Sequence, residues 1–289
     1  MFRSFLTGAL ALCAVGCGGD DEPAKQPTQP TGRQLGPPVV ISDLTCDADK
    51  HRDAPFPVVK ITDRDVIVDY PCDIPSGSPV TFILNLHGTQ TVEALKQYLR
   101  PYLGSLKYVT SHRFIIATPN SVVSQWGNMD GGRDEPHILE VIDWMYETFK
   151  GFDIVNMWVA GHSWGAFYTT TFVCKPELEG RVTGAVLMSG GVRIPECADR
   201  LALIGTVGET DIVPGELAQD DVAAAHCCGP KEVTQLGNNT LTQWPNCNPG
   251  FVHQSYLMLG KGHGFDPVDW PDEGMTLNIA DAMVTARGE

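Results

Sequence analysis

Short runs of apolar or β-branched residues recur along the chain: Val66–Tyr70, Val80–Leu86, Phe114–Ala117, Met157–Ala160, Ala185–Met188, Leu201–Val207 and Ser255–Leu259. Several are continuous rather than alternating, the pattern of strands covered on both faces of a parallel sheet. Between them the spacing turns helical. Over Pro136–Lys150, the residues Ile138, Ile142, Met145 and Phe149 fall on one stripe. Pro136 stands where a first-turn proline is tolerated, with Asp134 and Glu135 just ahead. Thr91–Leu99, Ala166–Cys174 and Gly274–Ala286 read as further helices. The strand–helix alternation predicts an α/β fold over residues 39–289: one domain, built on a mostly parallel twisted sheet with helices on both faces.

The N-terminus breaks this pattern. Arg3 and the apolar stretch Phe5–Val15 read as an export signal over residues 1–16, too short to span a bilayer. Ala14-Val15-Gly16-Cys17 resembles the bacterial lipobox, which implies a lipid anchor on Cys17. Residues 17–38 carry almost no large apolar side chains and many Pro, Gly and Gln, so they read as a disordered tether. No later segment approaches 18 uninterrupted apolar residues, so no transmembrane helix is expected. The expected location is outside the cytoplasm, anchored at the cell envelope or secreted.

With 289 residues, 43% hydrophobic and 19% charged, the chain can bury a sizeable core. Its net charge of −15 repels phosphate backbones and argues against nucleic acid as a partner. Membrane contact is expected only through the anchor, and a monomer is expected. Seven cysteines follow Cys17 and, in an exported chain, read as disulfides. Nearness in sequence points to Cys46–Cys72, Cys174–Cys197, and Cys247 with either Cys227 or Cys228, leaving one thiol over. Neither C-x-x-C nor H-E-x-x-H is present, so no metal or other cofactor is expected.

Chemistry gathers at Gly161-His162-Ser163-Trp164-Gly165, between the Met157–Ala160 run and the Ala166–Cys174 helix. A G-x-S-x-G between strand and helix holds a serine hydroxyl clear of the backbone on a sharp turn. That turn brings strand and helix so close that glycines are needed at 161 and 165. A serine is a weak nucleophile and needs a base oriented by a carboxylate. His263, in Gly262-His263-Gly264-Phe265 after the last apolar run, is the candidate base. Its rivals are His253, which precedes its strand and so belongs at the wrong edge, and His226 beside Cys227-Cys228. Asp211, in Gly208-Glu209-Thr210-Asp211, follows the Leu201–Val207 run and is the candidate acid, with Glu209, Asp220 and Asp221 as rivals.

An oxyanion hole needs two backbone N–H donors. Trp164 supplies one candidate, and Thr89, after Leu86-His87-Gly88, the other, with Gln90 as fallback. Trp126 and His87 are candidates to line the substrate cleft, although each also reads as packing that holds a loop. Trp244 and Trp270 are open to the same two readings.

Taken together, LHG (86–88), GHSWG (161–165), GETDIVP (208–214) and GHGF (262–265) resemble the α/β-hydrolase superfamily. More narrowly, over roughly residues 78–285, they resemble its secreted polyhydroxybutyrate-depolymerase and feruloyl-esterase-like group. That group often has small residues after the serine; here Trp164 would narrow the cleft or form an aromatic wall. The resemblance implies hydrolysis of carboxylic esters through an acyl-enzyme, on polyester oligomers or aromatic acid esters. A peptidase or thioesterase of the same fold uses the same triad, and a non-catalytic binding lipoprotein is the rival from outside enzymes.

Overall fold

A computed structural model of the chain describes residues 37, 41, 58–89, 112–127, 132–191, 197, 200–212, 217–247, 251–263 and 273–286. Ten strands among them form one sheet: β1 (Val58–Ile61), β2 (Arg64–Asp69), β3 (Pro79–Leu86), β4 (Phe114–Pro119), β5 (Asp153–His162), β6 (Gly184–Met188), β7 (Ala202–Gly208), β8 (Glu232–Leu236), β9 (Asn239–Gln243) and β10 (His253–Met258). Their spatial order is β1-β2-β4-β3-β5-β6-β7-β10-β9-β8. The six strands from β4 to β10 in that order run parallel. Antiparallel pairs extend the sheet at both edges, β1 and β2 on one side and β9 and β8 on the other.

Each predicted strand is present, and the reason the runs are unbroken is visible in β5. Met157 and Val159 pack into one core while Trp158 and Ala160 pack into the other. Successive side chains point to opposite faces, so a strand covered on both must be apolar throughout. The first core takes Ile138, Val141, Ile142 and Met145 from helix α1 (Asp134–Thr148), and Ala166 and Phe172 from α2 (Trp164–Phe172). The second takes Met275, Ile279, Ala280, Ala282 and Met283 from the last helix, Glu273–Thr285. Each such fully buried large side chain contributes about 1.5–3 kcal/mol. Polar side chains of β5 also satisfy that helix's end: Trp158 Nε1 donates to Met283 O at 3.0 Å, and Asn156 Nδ2 to Met283 O and Val284 O at 3.1 and 3.2 Å.

Several sequence expectations shift. The 136–150 helix begins at Asp134, because that carboxylate is buried at the helix start. There it accepts from Arg64 at 2.6 Å, an ion pair joining β2 to α1, and from the Val122 backbone N–H at 3.0 Å. The edge strands β1, β8 and β9 carry no long unbroken apolar run, and the helix Leu217–Ala225 carries only the short run Val222–Ala225. Strand β8 is largely exposed, so nothing in its composition separates it from a loop. The expected 91–99 helix, the signal, most of the tether, Cys46, Gln90 and Trp270 lie outside the described residues.

Cys174–Cys197 and Cys228–Cys247 are bonded, the second choosing Cys228 over Cys227. Cys72 and Cys227 are also in disulfides. Cys227 and Cys228 are thus both bonded, so neither is the thiol expected to be left over. These bridges fit an oxidising compartment outside the cytoplasm. No helix among the described residues is long and apolar enough to cross a membrane.

Candidate active site

Strands β3, β5, β7 and β10 end at one edge of the sheet, with Leu86 opposite Gly161 and Gly208 opposite Met258. The loops that leave this edge carry His87-Gly88-Thr89, Ser163, Asp211 and His263.

Ser163 sits between β5 and α2 with φ 51° and ψ −117°. A non-glycine residue in this region is strained, and the surroundings hold it there. Its N–H donates to Met188 O at 2.8 Å, and its carbonyl accepts from Phe167 N at 3.1 Å. The glycines explain themselves by contact. A Cβ on Gly161 would lie 2.3 Å from Gly165 O, and one on Gly165 would lie 2.2 Å from Leu86 O and 2.5 Å from His87 O. Gly190 makes a third close approach, where a Cβ would lie 2.6 Å from Ser163 O.

His263 Nε2 lies 2.8 Å from Ser163 Oγ, and His263 Nδ1 lies 3.0 Å from Asp211 Oδ1. The Asp211 side chain is fully buried, whereas that of His263 is 37% exposed, which leaves the imidazole open to an incoming molecule. An ionised carboxylate only accepts hydrogen bonds, so Nδ1 carries the proton and the Nε2 lone pair faces the hydroxyl. An imidazole placed this way can take the serine proton as Oγ attacks a carbonyl carbon.

The two loops that carry the acid and the imidazole are fastened to each other. Thr210 N and Thr210 Oγ1 both donate to Lys261 O, at 2.9 and 3.0 Å. Gly260 N donates to Glu209 Oε2 at 2.8 Å, so Glu209 ties the loop rather than serving His263. Asp220 instead meets Lys231 at 3.4 Å and Trp244 Nε1 at 3.1 Å. His253 opens β10 opposite Leu203, at the other edge, where its Nε2 lies 2.6 Å from His226 Nδ1. Trp244 is also at that edge, bonded through its backbone N–H to His253 O, and so does not line this site.

Trp126 and His87 are both buried, as the packing reading of each expects. The His87 ring donates from Nδ1 to Gly88 O at 2.6 Å and accepts from Ser121 N at Nε2, 3.3 Å away. Burial pushes its pKa down to about 4, so it stays neutral. Trp126 Nε1 donates to His87 O at 2.8 Å, and its ring packs between His87 and Tyr168. The pair braces the loop that brings Gly88 against Ser163; a Cβ on Gly88 would lie 3.2 Å from that of Ser163. Thr89 follows, exposed, with Oγ1 accepting from Gln125 Nε2 at 3.3 Å.

Trp164 opens α2, where a backbone N–H has no intrahelical partner. Its indole N–H donates to Trp126 O at 2.9 Å, and 38% of the residue remains exposed beside the serine. Two other contacts were invisible in sequence: Gly190 against the Ser163 carbonyl, and His162 Nε2 3.0 Å from the His263 carbonyl oxygen. Both join segments distant in the chain, and neither leaves a mark in local composition.

Among the described residues, the side chains grouped closely enough to hold a metal are Cys228, Cys247 and His253. The two sulfurs are already bonded to each other, and the group lies at the opposite edge from Ser163.

No protein-family model and no curated protein matches the chain. Solved structures do. An esterase from Pyrobaculum calidifontis is 14% identical, with a TM-score of 0.50 over 80% of this chain and 82% of that one. The Est2 esterase of the planctomycete Thermogutta terrifontis, solved with propionate, is 13% identical, with a TM-score of 0.49 over 80% and 94%. A thermostable esterase is 16% identical at a TM-score of 0.41; the match takes in 65% of this chain and about half of that one, 51%. At these identities the likeness is one of fold. With the parallel centre of the sheet and helices on both faces, the likeness to the Pyrobaculum structure shows that this chain has the single-domain α/β-hydrolase fold.

Proposed function

We propose that this chain is a serine hydrolase that cleaves carboxylic esters through an acyl-enzyme. The observation that carries the reading is the continuous relay from Asp211 through His263 to Ser163, at 3.0 and 2.8 Å. Ser163 attacks the ester carbonyl while His263 takes its proton. The imidazolium formed is stabilised by the buried Asp211 carboxylate and then protonates the leaving alcohol. Water repeats the cycle and releases the acid. The backbone N–H groups of Trp164 and Thr89 are assigned to the oxyanion, Trp164 by its place at the head of α2 and Thr89 by its place after Gly88. The steps assigned to these residues need no metal or cofactor.

The proposed substrates are aromatic acid esters or polyester oligomers. Their support is Trp164, whose pinned and half-exposed indole offers an apolar wall beside the nucleophile. A lipid anchor at Cys17 belongs to the same proposal and would hold a monomeric domain at the cell envelope.

The test is a panel of p-nitrophenyl esters of increasing chain length, a feruloyl ester and a polyester film, run on the wild type and on Ser163→Ala. Turnover of at least one ester, lost by about 10⁴-fold or more in Ser163→Ala with an unchanged melting curve, is expected. Equal rates in the two proteins would contradict the assignment.

A further inference from the structure

His162 is the residue between the first glycine and the serine of the G-x-S-x-G turn. Being the last residue of β5, it is buried to 5% exposure. Its imidazole lies between two loops that must meet for the site to exist. On one side it packs on the His263 ring, with centroids 5.4 Å apart and planes tilted by 38°, and its Nε2 lies 3.0 Å from the His263 carbonyl oxygen. On the other side is Gly88, where a Cβ would come within 2.9 Å of His162 Nδ1. Burial pushes the His162 pKa down to about 4, so the ring is neutral near pH 7 and carries a single N–H. A carbonyl oxygen only accepts, so that hydrogen is on Nε2.

We propose that His162 is a positioning residue for the Ser163–His263 reaction, its Nε2–H holding the His263 backbone against the elbow. The inference rests on the hydrolase reading of this site. Residues 260 and 261 are bonded to 209 and 210, which fixes the base loop to the acid loop. Those bonds set the His263–Asp211 pair but do not reach the nucleophile. The His162 bond starts one residue before Ser163 and ends on the backbone of His263 itself. It therefore fixes how far the base stands from the hydroxyl, a distance of 2.8 Å that a rotated loop would lengthen. A side chain at Gly88 would crowd the ring from its far side and displace it from its place in this bond.

The experiment compares wild type with His162→Leu, His162→Gln and His162→Asn, on a p-nitrophenyl ester and by the rate of fluorophosphonate labelling. Gln places an amide N–H near the position of Nε2, whereas Asn is too short to reach the carbonyl. His162→Leu is expected to lower kcat and the labelling rate by about 10- to 100-fold, as a displacement near 1 Å does, with KM changed less than roughly twofold. Gln should recover most of that loss and Asn little. If Leu does not fold, the Gln and Asn pair decides alone. Wild-type kcat and labelling in His162→Leu would overturn the inference, and so would Gln and Asn variants that are equally slow. A wild-type protein that the fluorophosphonate does not label would sink the hydrolase reading and this inference with it.

Discussion

Gly165→Ala is the sharpest steric test of the elbow. The added Cβ would lie 2.2 Å from Leu86 O and 2.5 Å from His87 O, both backbone atoms of the strand end and loop beside the serine. An ordinary contact to such an oxygen needs at least about 3.0–3.4 Å, so strand β3 and helix α2 must separate by about 1 Å. Neither can yield by turning a side chain. Overpacking of this kind costs about 1–3 kcal/mol or more. The catalytic effect should be larger, because the same movement carries Gly88-Thr89 away from Ser163; a shift near 1 Å costs about 100-fold in rate. Gly180→Ala is the control. Gly180 has φ +71° and nothing within 4 Å of its would-be Cβ, so its change strains the backbone by about 1 kcal/mol without a collision and far from the site. The assay pairs urea unfolding with ester turnover for both variants. Gly165→Ala should lose stability and roughly 100-fold in kcat, whereas Gly180→Ala should lose a little stability and no activity. A Gly165→Ala protein with wild-type turnover would refute the claim that close approach at this glycine sets the site.

Asp211→Asn should fold normally yet lose roughly 10³–10⁴-fold in kcat, because an amide can stabilise the wrong imidazole tautomer; a loss under tenfold in ester turnover would count against its role. Stability should decline as pH falls from about 6.5 to about 4. Burial lowers His87 and His137 to about 4 and His253 to about 3, so the unfolded chain takes up protons there that the folded one refuses, at up to about 1.4 kcal/mol per pH unit for each. Neither ring nitrogen of His137 finds a partner among the described residues, so His137→Leu should stabilise the protein more at pH 5 than at pH 7.5; an equal gain in urea midpoint at both would disprove this cause. Opening Cys174–Cys197 by a double Ser substitution frees a loop of 23 residues and should cost about 3 kcal/mol, several degrees in Tm by calorimetry; an unchanged Tm would show that the bridge adds no constraint.

The sheet's centre was legible because burial on both faces leaves a chemical trace. Phe82, Ile83 and Leu84 must all be apolar when each faces one core or the other. The meeting of Ser163, Asp211 and His263 was legible for a related reason: each follows such a strand, and the strands end at one edge. The edge strand β8 leaves no such trace, since exposed Glu232-Val233-Thr234-Gln235 faces water and accepts almost any side chain. Trp126 and His87 were ambiguous because a ring near a site can face substrate or brace a loop, and only the bonds to His87 O, Gly88 O and Ser121 N decide for bracing. Cys228 rather than Cys227 pairs with Cys247, a choice between neighbours that spacing could not make.

In the proposed mechanism the hydroxyl at 163 is made reactive by the imidazole at 263. Peptide-mapped mass spectrometry after fluorophosphonate treatment, on wild type and His263→Ala, measures this most directly. One phosphonyl adduct is expected on the peptide bearing Ser163 in the wild type and almost none in His263→Ala. An adduct on another residue, or equal modification of Ser163 in both proteins, would contradict it.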